Sequence, residues 1–182
     1  ILSRMKRQYT RAEYLDLVRR LRAAIPGIAL STDIIVGFPG ESDDDFSATI
    51  SLLDEARFSS IFCFTYSPRP RTAAARWEQD VSVRVAQERL ARLNDHQQEL
   101  QLRMNETLVG EVVEVLVEGS DKKGRRVSGR SRANQLVHVD GIPGTPAGTF
   151  VMAVVEKDLA NSLLARPLRV VTSEEGGGAK VA

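Results

Sequence analysis

Ser31-Thr-Asp-Ile-Ile-Val-Gly-Phe-Pro-Gly-Glu41 is the stretch from which the rest of the chain is read. It sits at the end of a largely apolar run, Ile28 to Phe38, with the β-branched residues Ile34, Ile35 and Val36 at its centre. Such a run suits a strand covered on both faces, the setting of a parallel sheet. Gly37 and Gly40 permit a sharp turn and close approach of the backbone to a ligand, Pro39 stiffens that turn, and Ser42 with Asp45 makes a capping signature for a following helix. In open α/β sheets and α/β barrels alike, ligands bind at this carboxyl end of a strand. The turn lacks the glycine spacing of a dinucleotide fingerprint and the lysine of a P-loop, so an ordinary strand-to-helix turn stands beside the ligand-site reading. Asp33 adds to the latter: a carboxylate in an apolar strand costs free energy unless it is paired or meets a ligand. A satisfied core polar group is its alternative.

Working outward, Thr10 and Glu13 form a capping box, and Tyr14, Leu15, Val18, Leu21 and Ile25 then fall on one helical face until Pro26-Gly27 ends it. Before it, Ile1 to Tyr9 carries Arg4, Lys6 and Arg7 without periodicity and reads as the tail of a preceding element. After the central turn, Phe46, Ile50 and Leu53 predict an amphipathic helix from about Asp43 to Ala56, and Ser59 to Tyr66 a second buried strand. Helix, strand, helix, strand with short joints is a βα repeat, with parallel strands and right-handed crossovers, as in half of an α/β barrel. Ser67-Pro-Arg-Pro-Arg-Thr-Ala73 is a loop leaving the sheet at its carboxyl end. Ala86, Leu90, Leu93, Leu100, Met104 and Leu108 mark one long helix over about 82–108, with Arg89, Arg92 and Glu99 expected on a solvated outer face.

From Val109 the period changes. Short strands are predicted at 109–117, 126–132, 136–139, 150–155 and 163–171, separated by Gly, Pro, Asn and Asp turns. Five short antiparallel strands in this length suggest a small closed barrel of the oligonucleotide-binding type. The tail from Thr172 to Ala182, with three successive glycines, has no reason to fold. The expected architecture is therefore α/β, a partial βα barrel over 1–106 with its long linking helix, then an all-β barrel over 107–171 and a disordered tail over 172–182.

Composition bounds the functions available. With 182 residues, 42% of them hydrophobic, the chain can bury a sizeable core. No apolar run approaches the roughly 20 residues of a membrane span, and no secretory signal opens the chain; the expectation is a cytoplasmic protein. One cysteine, Cys63, excludes an internal disulfide and a multi-cysteine metal site within the chain, and its place between Phe62 and Phe64 suits an inert packed thiol. His96 and His138 show no metal-ligand spacing. The net charge of +1 carries no message. The chain starts at Ile1, directly in a basic segment, and reads as a piece of something longer.

The local distribution of charge says more than its sum. Lys122, Lys123, Arg125, Arg126, Arg130 and Arg132 surround one hairpin with no acidic residue between the first and the last. Phosphate neutralisation needs that arrangement, and it predicts salt-dependent RNA binding. A solvated face is the alternative. Asn134, just beyond, either meets a base edge or forms the turn. Phe150 is the only aromatic of the barrel, so backbone contact is better supplied than stacking.

The stretch STDIIVGFPGES, the acidic helix start after it and FCFTYSPRPRTAAA together resemble the radical S-adenosylmethionine methylthiotransferases. Within that family the branch that forms 2-methylthio-N6-dimethylallyladenosine in tRNA, next to the anticodon, is the most similar. RMKRQYTRAEYLDLV resembles the segment preceding the turn, and LVGEVVEVLVEG with GRSRAN resembles the TRAM domain by which the family holds RNA. The resemblance implies the later βα units of a radical barrel followed by that domain. It also implies a reduced [4Fe-4S] cluster that cleaves S-adenosylmethionine to a deoxyadenosyl radical, hydrogen abstraction from the adenine ring, and sulfur insertion with a methyl group, a second cluster serving sulfur delivery. The CxxxCxxC loop and amino-terminal domain that carry the cluster cysteines would precede Ile1, so the fragment alone is expected to be inactive, with no metal ligands and no catalytic residue of its own.

What the resemblance carries over is a wall of the cofactor pocket. Ile35 and Gly37 match the strand motif that packs on adenine, Phe64, Tyr66 and Ser67 match the last strand near the adenine edge, and Asp33 joins them as a cofactor-binding candidate. Arg69 matches the arginine of the family's YSPRPGTPAA loop and faces either tRNA or the active site. Arg71 stands where that loop has glycine and Ala73 where it has proline. The implied partners are the anticodon stem-loop of tRNA and the missing amino-terminal part of the same polypeptide. Rival readings are a stand-alone TRAM RNA-binding protein, and relatives acting on threonylcarbamoyladenosine in tRNA or on an aspartate of a ribosomal protein.

Overall fold

The computed structural model of the chain describes residues 1–120, 125–159 and 161–171. They fall into two units, Ile1–Leu100 and Gln101–Ala182.

In the first unit the order is α1 (Arg11–Ala24), β1 (Ser31–Val36), α2 (Asp43–Ala56), β2 (Ser60–Thr65), a single 3₁₀ turn at Ala74–Arg76, and α3 (Val83–Glu106), whose last residues belong to the second unit. Both expected capping boxes are present. The Thr10 side chain accepts from the Glu13 amide while the Glu13 carboxylate accepts from the Thr10 amide, and Ser42 and Asp45 repeat the exchange on α2. The two strands run parallel, with Asp33 opposite Phe62 and Ile35 opposite Phe64. One face of this pair is packed: Val36, Phe46, Leu53, Ala56, Phe58, Leu93 and Leu100 form the core, with Ile34, Ile61 and Cys63 half-buried against it.

The other face is open, contrary to the expectation of strands covered on both sides. Ile35, Phe62 and Phe64 are 42%, 56% and 54% exposed, and Asp33 lies exposed among them. The helices of this unit supply one covering layer, so every second residue of the strands is left outside it, the apolar Ile35, Phe62 and Phe64 included.

The second unit is a closed barrel of β3 (Val112–Ser120), β4 (Arg126–Ser131), β5 (Leu136–Asp140), β6 (Phe150–Leu159) and β7 (Ser162–Val171), in the order β3-β4-β5-β7-β6. Alternate residues point inward and make the core: Val115, Val117, Val127, Val137, Val139, Val151, Ala153, Val155, Leu163 and Ala165. One pairing departs from the antiparallel expectation, since β5 and β7 run parallel. An odd number of strands cannot close with antiparallel neighbours only, so one parallel seam is obligatory. Gly129 is a position of close approach, because a Cβ there would lie 2.1 Å from the Leu116 carbonyl oxygen. Asn105, only 2% exposed, accepts from Gln101 and Gln135 and donates to the Leu159 carbonyl, tying the last turn of α3 to the barrel strands. The tail 172–182 lies outside the described residues.

Candidate functional site

The turn after β1 is built by packing within the first unit. Gly37 is buried with φ +72°, a left-handed conformation that favours glycine, and a Cβ added to it would lie 2.6 Å from the Cβ of Ala86 on α3. Gly40, at φ +82°, has no space either, since its Cβ would meet the Arg4 guanidinium. The two glycines are therefore accounted for by neighbours in the chain, whereas sequence reasoning links them to approach of a ligand. The Gly40 amide donates to Asp80 at 2.7 Å, and Arg4 lies 5.0 Å from the Trp77 ring centre, whose edge packs on Phe38. Arg4 thus belongs to the turn's environment.

A buried ion pair locks the same turn. Glu41 accepts from the Gly37 amide at 2.7 Å and from Arg89 at 2.6 Å, and Arg89 also donates to the Glu41 carbonyl at 3.0 Å and to Asp43 at 2.7 Å. The Arg89 and Glu41 side chains are 7% and 3% exposed. This corrects the expectation of a solvated face at Arg89; Arg92, on the same helix, is exposed with its guanidinium 4.9 Å from the Phe46 ring centre, and Glu99 is exposed. Burial works against the Arg89 cation, but the hydrogen bonds it donates to Asp43 and Glu41 and their charges outweigh it and hold its pKa above the ordinary arginine value. A signal for this burial exists in the sequence: Arg89 lies three residues after Ala86 and four before Leu93, within the apolar stripe of the helix.

A cavity of about 810 Å³ runs along β1 between the segment before α1 and α2, and takes in Asp33, Ile35 and Phe64 of the open face together with Ile34 and Tyr14 of the packed side. Three of the six cofactor candidates therefore share one surface. Gly37 is not among the residues lining the cavity, and its room is taken by Ala86. Tyr66 extends the sheet by donating its amide to the Val36 carbonyl at 2.8 Å, and its ring meets Phe38 with centres 5.0 Å apart. Its hydroxyl is buried with no hydrogen-bond partner among the described residues. Ser67 and Arg69 are exposed on the following loop, where the Arg69 carbonyl accepts from Thr72. Arg71 has φ +70°, so the loop keeps a left-handed residue where the family's loop has glycine. The open apolar pair Ile35 and Phe64, with the Asp33 carboxylate beside it, suits a planar nucleoside ring bearing polar edges.

Cys63 lies on the packed side of β2, and burial pushes its thiol up to about 11, which leaves it protonated and slow to react at neutral pH. His96 meets Asp54 at 3.0 Å and His138 meets Ser128 at 2.8 Å. Among the described residues no group of three or more His, Cys, Asp or Glu side chains is placed to hold a metal ion, and no helix is long and apolar enough to cross a membrane.

In the barrel, Arg126, Arg130 and Arg132 do not form a field of one sign. Arg126 makes a two-point contact with Asp140 at 2.6 and 3.1 Å, Arg130 lies 3.5 Å from Glu118, and Arg132 bonds Glu114 at 2.9 Å. The acids come from β3 and β5, the two strands hydrogen-bonded to β4, which a reading of the basic residues alone does not include. Asn134 has φ +58° and its carbonyl accepts from Arg130 at 3.2 Å, so its backbone forms the turn. Its exposed position leaves the side chain open to a partner. Lys122 and Lys123 lie outside the described residues.

Comparison with known proteins adds family relations to this geometry. The family model of the radical SAM superfamily matches residues 1–53, and that of the TRAM domain matches residues 106–168. A tRNA-2-methylthio-N(6)-dimethylallyladenosine synthase of Geobacter sulfurreducens is 46% identical over 164 residues, covering 90% of this chain and 36% of its own length. One from Geobacillus kaustophilus is 51% identical over 142 residues, covering 78% and 27%. A third, from Anaeromyxobacter sp., is 46% identical over 176 residues, covering 92% and 38%. The chain spans about a third of the length of these curated relatives.

Proposed function

We propose that this chain, which belongs to the radical S-adenosylmethionine methylthiotransferase family, is the carboxyl-terminal part of an enzyme that adds a methylthio group to C2 of N6-dimethylallyladenosine next to the anticodon of tRNA. Residues 1–106 supply part of the radical barrel, 107–171 the TRAM domain that grips RNA, and the enzyme works in the cytoplasm. The observation that carries the reading is the open face of β1 and β2, where Ile35 and Phe64 sit opposite each other and exposed, beside Asp33.

S-adenosylmethionine, bound together with iron–sulfur clusters held elsewhere in the polypeptide, supplies the radical and the methyl group. The residues of this chain would hold and orient it: Ile35 and Phe64 give an apolar seat for the adenine ring, while the Asp33 carboxylate and the backbone of Phe64, Tyr66 and Ser67 offer polar groups to its edges. Gly37 keeps the turn low enough for that seat to stay open. In the TRAM domain Arg126, Arg130 and Arg132, with Lys122 and Lys123 shortly before them in the sequence, meet phosphates, Asn134 reaches a base or sugar, and Arg69 of the first unit meets tRNA near the reacting base. Of their carboxylate partners Glu118 is exposed and Asp140 and Glu114 are half-buried; pairs open to solvent contribute only about 0–1 kcal/mol, so phosphate can compete for these arginines.

The test is mass spectrometry of tRNA nucleosides from a strain lacking the gene. The expected result is loss of the methylthio group from N6-dimethylallyladenosine. Loss from threonylcarbamoyladenosine instead, or no change in either, would overturn the assignment.

A further inference from the structure

We infer that Arg89 is a positioning residue for the cofactor turn, with Ala86 and Arg89 making one turn of α3 the seat on which Gly37 to Glu41 takes its shape. The inference rests on the reading of that turn as a wall of the S-adenosylmethionine pocket.

Three observations carry it. Ala86 occupies the space a side chain on Gly37 would need, so the helix sets how far the turn can descend. Glu41 accepts from Gly37 and Arg89 through the same oxygen, Oε2, at 2.7 and 2.6 Å; the amide at the carboxyl end of β1 is thereby tied to α3 through one carboxylate. Arg89 further holds the Glu41 carbonyl and the first residue of α2, Asp43, so its planar fork spans the end of the turn and the start of the next helix. Lysine has one point of attachment where arginine has a fork, and it cannot reproduce this set. Arg89 itself is buried against Phe46, 5.6 Å from its ring centre, and is absent from the residues lining the cavity. Its influence on the ligand passes through Glu41 and the Gly37 backbone.

The experiment compares wild type and Arg89→Lys by two readouts. In the 182-residue chain, amide hydrogen exchange is followed at Gly37, with Val127 in the barrel core as the internal control. In the full-length enzyme, KM for S-adenosylmethionine, KM for tRNA and kcat are measured well below the melting temperature. Expected are at least tenfold faster exchange at Gly37 with Val127 unchanged, and at least a tenfold rise in KM for S-adenosylmethionine with KM for tRNA unchanged. A variant that melts earlier but keeps both the Gly37 exchange rate and the cofactor KM would show a merely structural pair and overturn the inference. If Arg89→Lys does not fold, Asp43→Ala, which removes the side-chain acceptor at the exposed end of the network, replaces it; exchange at Gly37 should then rise at least twofold, and an unchanged rate overturns the inference. A wild-type enzyme with no use for S-adenosylmethionine sinks the pocket assignment itself, a result distinct from a wild type that uses it and a variant that is indifferent.

Discussion

Ala86 closes the space above Gly37: a Cβ at Gly37 would stand 2.6 Å from that of Ala86, well inside contact distance. Gly37→Ala therefore meets two penalties, the overlap and a left-handed φ of +72°. Together they amount to about 2–4 kcal/mol. Thermal unfolding of the first unit should shift down accordingly, and trimming the neighbour with Ala86→Gly should restore only the part due to overlap. A Gly37→Ala chain that melts as wild type would show that the turn adapts freely.

The loop after β2 offers a subtler test. Arg71 holds φ +70° where a glycine would carry no strain. Arg71→Gly relieves that strain but loosens the unfolded chain by a similar amount, so stability should change by less than about 1 kcal/mol. Arg71→Val, β-branched, should cost about 1–2 kcal/mol. Equal melting temperatures for both variants would contradict the left-handed loop.

The barrel arginines are partnered, and their ion pairs compete with phosphate. Alanine at Arg126, Arg130 and Arg132 together should weaken RNA binding and flatten the slope of log K against log salt by about 0.7–0.9 for each phosphate that is no longer neutralised. Each substitution should alter stability by no more than about 1 kcal/mol. Conversely, Glu114→Gln and Glu118→Gln should tighten binding at low salt. Binding titrations over a salt series check both directions, and an unchanged slope removes these residues from the RNA site.

Two helix starts carry a pH signature. The Glu13 carboxyl is held below its ordinary 4.5 by the Thr10 amide and hydroxyl, and that of Asp45 below 3.8 by the Ser42 amide and hydroxyl. A folded-state pKa below the unfolded one means that the ionised form is favoured by folding. The stabilisation is fully present above the ordinary values and is lost as pH falls through the depressed ones. Helical circular dichroism followed downward from pH 5 should show this loss, and Glu13→Gln with Asp45→Asn should flatten it. An acid limb of unchanged steepness in that double variant would assign it to other carboxylates.

These residues also show where sequence reading reaches and where it stops. The capping pairs Thr10–Glu13 and Ser42–Asp45 are legible because their partners are three residues apart. The strands, the long helix and the barrel follow from period alone. Arg89 reads as solvated because its partners, Glu41 and Asp43, lie 48 and 46 residues away. For the same reason Arg126, 14 residues from Asp140, and Arg132, 18 from Glu114, read as uncompensated. Asp33 reads as a buried charge needing relief, and it is exposed because one side of the sheet is left uncovered.

What the amino-acid sequence determined by itself is the set of elements and the change from parallel βα units to a mainly antiparallel barrel, since hydrophobic period, turn residues and caps act over a few residues. Only the tertiary structure decided which face of β1 and β2 stays open, which glycine is held by which neighbour, and which charge is spent on another. Those outcomes depend on contacts between segments far apart in the chain, and such contacts leave no local period to read.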